Sequence, residues 1–181
     1  ALELASKLDT VVLDKTGTIT VGKPAVVDVV YLDGNFTNEN EFLRLAASAE
    51  RGSEHPLGRS IVAEATKRGL SLSEPKSFKA SRGLGMSATV DGRQVLAGKP
   101  GWFLEMGLDL GRLGQRLSSL QNQGKTVVLI AAENKIAGLI AVADRVKPDS
   151  KDAIESLHKQ NIKVVMLTGD NRTTAGAVAA T

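Results

Sequence analysis

The hydrophobic and polar positions fall into two kinds of text. At Thr10-Val11-Val12-Leu13, and again within 162–171 (IKVVMLTGDN), apolar residues run without alternation, as in strands buried on both faces of a parallel sheet. The stretch KPDSKDAIESLHKQN before the second run places Ala153, Ile154 and Leu157 on one helical face. Helix then strand is predicted there, the return half of a β-α-β unit. Between these ends the pattern changes. A strand is predicted over VVDVVYL, a turn at Asp33-Gly34-Asn35, and a helix over 38–50 opened by a capping box of Asn38 and Glu41. A second helix follows Pro56 and closes at Gly69. Then come strand-like SFKASR, the glycines of RGLGMSATV, a hairpin turn at Asp91-Gly92 and strand RQVLAG. A helix around LGRLGQRLSSLQNQ and two strands either side of ENK complete the segment.

The fold class predicted is α/β: an incomplete Rossmann-like parallel sheet interrupted by an inserted α+β domain of roughly 120 residues built on an antiparallel sheet. The boundaries implied are 1–24 and 143–181 for the first domain and 25–142 for the insert. Composition fits: 42% apolar and 24% charged residues are ordinary for a globular protein of 181 residues. A charge of +3, with no basic run, gives no argument for nucleic acid. The absence of cysteine excludes disulfides and thiolate metal sites, and two histidines exclude a His-rich zinc site. No apolar run is long enough to span a bilayer and ALELASKLD does not read as a secretory leader, so a soluble chain is expected.

The chemistry collects where the apolar runs stop. Both end in an acidic residue with glycine and threonine beside it, and ligands of open parallel sheets bind beyond the carboxyl ends of strands. In Asp14-Lys15-Thr16-Gly17-Thr18, a carboxylate at a strand terminus can act as a nucleophile that accepts a phosphoryl group. Two anions then meet, which calls for Mg²⁺, a cation suited to oxygen ligands and phosphates. Gly17 permits a tight turn that presents backbone N–H groups to phosphate. An Asp-x-x-Gly alone reads as a simple turn; the whole string after an aliphatic run does not.

DKTGT resembles the phosphorylation motif of P-type ATPases, within the haloacid-dehalogenase-like superfamily. The resemblance implies that Asp14 is phosphorylated by ATP and that Thr16 lends its backbone carbonyl to Mg²⁺ and its side chain to the phosphate. Asp14 and Thr16 are thus the metal-ligand candidates, and Lys15 belongs to the same catalytic string. Superfamily phosphatases usually have Asp at the second position. Threonine cannot serve as acid or base near neutral pH, so the aspartyl-phosphate would persist, as a pump requires. Thr168-Gly169-Asp170-Asn171 resembles the family's TGDN, whose threonine holds the phosphate. Asp144-Arg145-Val146-Lys147-Pro148 resembles its D-x-x-[RK]-P hinge element. SEHPL at 53–57 is similar to the signature of the heavy-metal-transporting branch, where the histidine, here His55, orients adenine; imidazole offers a flat ring with a donor and an acceptor. Glu50, five residues earlier, matches a glutamate that bonds the adenine amino group. Gly83-Leu84-Gly85 resembles the G-x-G that lets the nucleotide approach, and Gly98 stands where the family has Gly-Asn, with Lys99 in place of asparagine.

The resemblance implies the ATP-binding and autophosphorylating portion of a heavy-metal pump, copper by its closer motif likeness. The 25–142 insert would be the nucleotide-binding domain and 1–24 with 143–181 the phosphorylation domain. ATP and Mg²⁺ are the cofactors implied, at the cytoplasmic face of a membrane. The partners implied are transmembrane and actuator domains of the same parent, with this portion itself monomeric. The family's lysine and GDGxND-type motif do not appear before Thr181, so slow or no turnover is expected of the chain as it stands. Two alternatives stay open: a soluble haloacid-dehalogenase-like phosphatase with a cap, and a nucleotide-binding or docking module without chemistry.

Overall fold

The structure, a computed structural model, describes residues 8–32 and 36–180. The turn expected at Asp33-Gly34-Asn35 lies outside the described residues. The chain divides into two units, 1–23 with 144–181, and 24–143.

In the first unit, β1 (Thr10–Asp14) pairs in parallel with β8 (Lys163–Leu167), in a register that sets Asp14 opposite Leu167. The helix α5 (Ser150–Lys159) precedes β8, and α6 (Arg172–Ala179) follows it. The expectation of burial on both faces is corrected here. Burial alternates along both strands: Val11, Leu13, Val164 and Met166 are half-buried, whereas Val12 is 60% and Leu167 62% exposed. The cause is coverage. Among the described residues each strand has one neighbour, α5 packs against β8, and the face carrying Val12, Val165 and Leu167 is open.

The second unit is a six-stranded sheet in the order β2 (Ala25–Tyr31), β7 (Lys135–Ala143), β6 (Thr126–Ala132), β5 (Arg93–Gly98), β4 (Gly85–Val90), β3 (Lys76–Ser81). Every pairing in it is antiparallel. Helices cover both faces. On one side α1 (Glu39–Glu50) and α2 (Pro56–Lys67) pack Phe42, Leu43 and Ile61 against Val128, Ile130 and Ile140. On the other, α3 (Pro100–Glu105) and α4 (Leu113–Asn122) pack Phe103, Leu117 and Leu120 against Val127, Leu129 and Leu139. Successive residues of β6 therefore enter opposite cores, which is why TVVLIAA shows no alternation despite its antiparallel partners.

Local chemistry sets the turns and ends. Asp91 and Gly92 both have positive φ, as the tight hairpin between β4 and β5 requires. Asn38 caps α1 by accepting from Glu41 N–H at 3.0 Å. The expected box is displaced by one residue: the Glu41 carboxylate accepts from Thr37 N–H at 2.7 Å rather than from Asn38. Pro56 opens α2 at its first position.

Candidate functional site

The register of β1 on β8 brings the two acidic motifs together. Asp14 ends β1 opposite Leu167 on the adjacent strand, about 4.8 Å away, and Thr168 is the next residue beyond β8. Asp14 is exposed, and among the described residues its carboxylate has no hydrogen-bond or ion-pair partner. The neighbouring acids are engaged. Lys15, 9% exposed, forms an ion pair with Asp170. Asp170 in turn fixes Thr168: its N–H donates to Thr168 Oγ1, and that hydroxyl lies 3.1 Å from its carboxylate. Asn171 accepts from Thr174 N–H and so caps α6. Lys15 and Asp170 thus meet each other across the two motifs.

The string after Asp14 forms one wide turn, closed by Thr20 N–H donating to Lys15 C=O at 2.9 Å. Gly17 takes φ +82° within it, a left-handed conformation that glycine adopts without a β-carbon penalty. Thr20, 1% exposed, holds the turn from below. Its hydroxyl lies 2.9 Å from Lys15 C=O and 2.6 Å from Asp144 Oδ2, and it accepts from Gly17 N–H at 3.3 Å. Asp144 also accepts from the N–H groups of Gly22 and Lys23, each at 3.1 Å. Lys147 Nζ donates to Gly17 C=O at 2.8 Å, and Ser150 Oγ to Ile19 C=O at 2.8 Å. The segment 144–150 therefore shapes the turn 15–20 through polar contacts.

This end of the unit suits a hard divalent cation that keeps its waters. No cluster of three or more acidic, His or Cys ligands exists among the described residues. The unpartnered Asp14 carboxylate with the Thr16 carbonyl matches the sparse protein ligation of Mg²⁺, whose other positions go to phosphate and water.

In the second unit, Glu50 ends α1 and is 6% exposed. Burial pushes its carboxyl above the usual value of 4.5, and the Ser53 hydroxyl partly offsets this. His55, exposed, caps α2 by accepting from Leu57 N–H on Nδ1 at 3.2 Å. The loop joining these residues leans on the sheet, because a β-carbon on Gly52 would stand 3.2 Å from the Phe78 ring of β3. Gly83, at φ +75°, turns the chain between β3 and β4 with open space around it. Gly85 and Gly98 pair across β4 and β5. Their β-carbon positions are filled: on Gly85 one would lie 2.2 Å from Ala97 C=O and 2.9 Å from the Trp102 ring, and on Gly98 2.6 Å from Leu84 C=O and 2.8 Å from that ring. Packing beneath Trp102 is thus a sufficient reason for both glycines.

A profile of haloacid dehalogenase-like hydrolases matches residues 8–181. The chain belongs to that family. Among curated proteins it is 44% identical over 179 residues to a copper-transporting P-type ATPase of Rhizobium leguminosarum bv. viciae, covering 99% of this chain and 21% of that protein. It is also 44% identical to copper-exporting P-type ATPase B of Archaeoglobus fulgidus, covering 99% of this chain and 25% of that one. The chain therefore spans a quarter or less of the length of these relatives. Among solved structures, a zinc-transporting PIB-type ATPase in its E2.Pi state aligns with TM-score 0.72 and 37% identity, over 99% of this chain and 29% of that one. The N-domain of HMA8, a copper-transporting P-type ATPase, aligns with TM-score 0.56 and 30% identity over 66% of this chain and 99% of that domain. The catalytic CPx-ATPase domain CopB-B, at 23% identity and TM-score 0.69, shares the fold over 99% of this chain and 59% of its own.

Several residues of this haloacid dehalogenase-like chain escaped sequence reasoning. Asp144 was read as part of a hinge and Lys147 as its basic position; their bonds to Thr20, Gly22, Lys23 and Gly17 cross more than a hundred positions and leave no local pattern. Helix α3, with Trp102 against Gly85 and Gly98, is not among the elements the sequence predicts. Its signal was available: Lys99-Pro100 sets proline at a first helical position.

Proposed function

We propose that this chain is the ATP-binding and phosphoryl-accepting portion of a heavy-metal-transporting P-type ATPase, copper by the curated relatives it resembles. The observation that carries the reading is an exposed carboxylate, Asp14, with no partner among the described residues, at the carboxyl end of a parallel strand next to the one that leads into Thr168. An ionised carboxylate needs no general base. One Asp14 oxygen attacks the γ-phosphorus in line; the new O–P bond forms as the bond to the β-phosphate oxygen breaks, and ADP leaves with that electron pair. Mg²⁺, held by Asp14, the Thr16 carbonyl and the phosphates, would screen the meeting of anions. Thr168 donates a hydrogen bond to the phosphate from the opposite side; to do so, its hydroxyl exchanges Asp170 for a phosphate oxygen. Lys15 and Asp170 serve as the tie that holds the two motifs.

The unit 24–143 carries the nucleotide site in this reading. Glu50 accepts from the adenine amino group and His55 stacks on or orients the base, with Gly83, Gly85 and Gly98 at the start of β4 and the paired end of β5 as the glycines the nucleotide approaches. The parent protein supplies transmembrane and actuator domains, and this portion works at the cytoplasmic face, monomeric in itself; no described helix is long and apolar enough to cross a membrane. Thr16 in the second position weighs against a phosphatase. The test is incubation with γ-labelled ATP and Mg²⁺, in the full-length parent. Acid-stable, hydroxylamine-labile label is expected in the wild type and none in Asp14→Asn, with ATP still bound. Label that persists in Asp14→Asn, or rapid hydrolysis of p-nitrophenyl phosphate, would defeat the proposal.

A further inference from the structure

Glu50 ends α1, His55 lies in the loop before α2, and Ser53 between them is bonded to both. Ser53 N–H donates to Glu50 C=O at 2.8 Å, and the Ser53 hydroxyl bonds the Glu50 carboxyl. Ser53 Oγ also accepts from His55 N–H at 3.3 Å. One serine therefore joins both residues. On the far side stands Gly58, buried in the first turn of α2. A β-carbon there would lie 2.3 Å from Glu50 Oε2 and 2.7 Å from Ser53 Oγ. Gly58 has no left-handed φ, and glycine within a helix is destabilising by about 0.5–1 kcal/mol against alanine. Backbone conformation gives no reason for glycine at this position. The space does.

We propose that Ser53 and Gly58 are positioning residues for Glu50: the hydroxyl anchors its carboxyl, and the missing β-carbon leaves the room in which that carboxyl sits at the start of α2. The proposal rests on reading Glu50 as a nucleobase contact. The charged groups of the loop do not substitute for this arrangement, since Arg51 is paired with Glu74, and Glu54 and His55 are exposed. In Gly58→Ala the first clash is with the tip of a flexible side chain, so the helix stays and the carboxyl is displaced toward water.

The experiment titrates Glu50 by ¹³C NMR in the whole chain and measures ATP affinity by calorimetry. Two substitutions should move the titration in opposite directions. Gly58→Ala lowers it toward the ordinary carboxylate range, because the carboxyl regains water. Ser53→Ala raises it further, because the bond that lowered it is gone. Gly58→Ala should weaken ATP binding about tenfold, about 1.4 kcal/mol, and add nothing in a Glu50→Ala background. A Glu50 titration unmoved by Gly58→Ala, or an equal affinity loss in both backgrounds, overturns the proposal. Should Gly58→Ala not fold, a downward or absent shift in Ser53→Ala overturns it alone. ATP affinity indifferent to Glu50→Ala would sink the nucleobase reading, while the titrations still decide the positioning.

Discussion

Gly85→Ala separates two accounts of the glycines near the proposed nucleotide site. If they are there for packing, a methyl group at 85 must displace the carbonyl of Ala97, 2.2 Å away, and the Cα of Gly98, 2.6 Å away. Neither can yield cheaply. Both are backbone atoms of β5, whose other edge is already paired to β6 through Gly98 and Leu129. The Trp102 ring, at 2.9 Å, closes the remaining direction. Overpacking of a tight interior costs about 1–3 kcal/mol, and contact with fixed backbone puts this site at the upper end, about 3 kcal/mol. With a urea slope of about 1–3 kcal/mol per molar, the midpoint falls by roughly 1 M or more. Trp102 is the chain's one tryptophan, so its fluorescence reports on this unit directly. Gly83→Ala is the internal control: it has open space and only an unfavourable φ, worth about 1 kcal/mol. Should Gly85→Ala leave stability within about 0.5 kcal/mol of wild type while weakening ATP binding, the packing account fails and the glycine serves ligand approach.

Asp170→Asn should destabilise the first unit by about 2–3 kcal/mol, since it leaves the Lys15 ammonium, with a side chain 11% exposed, without its carboxylate; a change under about 0.5 kcal/mol in urea denaturation would contradict this. By contrast Asp14→Asn, at an exposed and unpartnered group, should move stability by no more than about 0.5 kcal/mol while abolishing phosphorylation. Thr20→Val removes the hydroxyl under the 15–20 turn and should cost about 1–3 kcal/mol, whereas Thr20→Ser keeps it; equal losses in the two would refute the role of the hydroxyl. The raised Glu50 carboxyl gives a signed pH effect. Its favourable contribution is complete below the unfolded value near 4.5 and is lost as pH rises through the higher folded value. Glu50→Gln should therefore gain on the wild type in melting temperature above that window and lose the advantage below pH 4.5; an offset constant with pH would contradict the burial argument.

What could be read from the chain beforehand was what local rules control. The Asp91-Gly92 hairpin, Pro56 at the first turn of α2 and Asn38 at the cap of α1 are set by a few adjacent residues, and each stands where those residues put it. Both motifs also end adjacent parallel strands. The failures came from partners remote in sequence. An apolar run states that a strand's neighbours are apolar without saying how many there are. TVVL looked doubly buried and has one open face, whereas TVVLIAA is doubly buried in an antiparallel sheet. Gly138 gave no signal either. Its β-carbon would meet Val30 C=O at 2.4 Å and the Phe42 ring at 2.7 Å, a constraint visible only once β2, β7 and α1 are assembled.

The distribution of partners around the 15–20 turn then bears on chemistry. Asp144 receives Thr20, Gly22 and Lys23, and Asp170 receives Lys15, so both carboxylates are committed to holding backbone or charge in place. Asp14 alone of these is exposed and, among the described residues, without a partner. A carboxylate that merely ended a strand would gain from any of the N–H groups nearby. Here Gly17 N–H goes to Thr20 instead, and the Lys15 ammonium goes to Asp170. The Lys15 cation is paired with Asp170, which also bonds Thr168, and the Asp14 carboxylate is left without a partner among the described residues. That division of labour, rather than the presence of an aspartate, is what supports the proposal that the end of β1 receives a phosphoryl group.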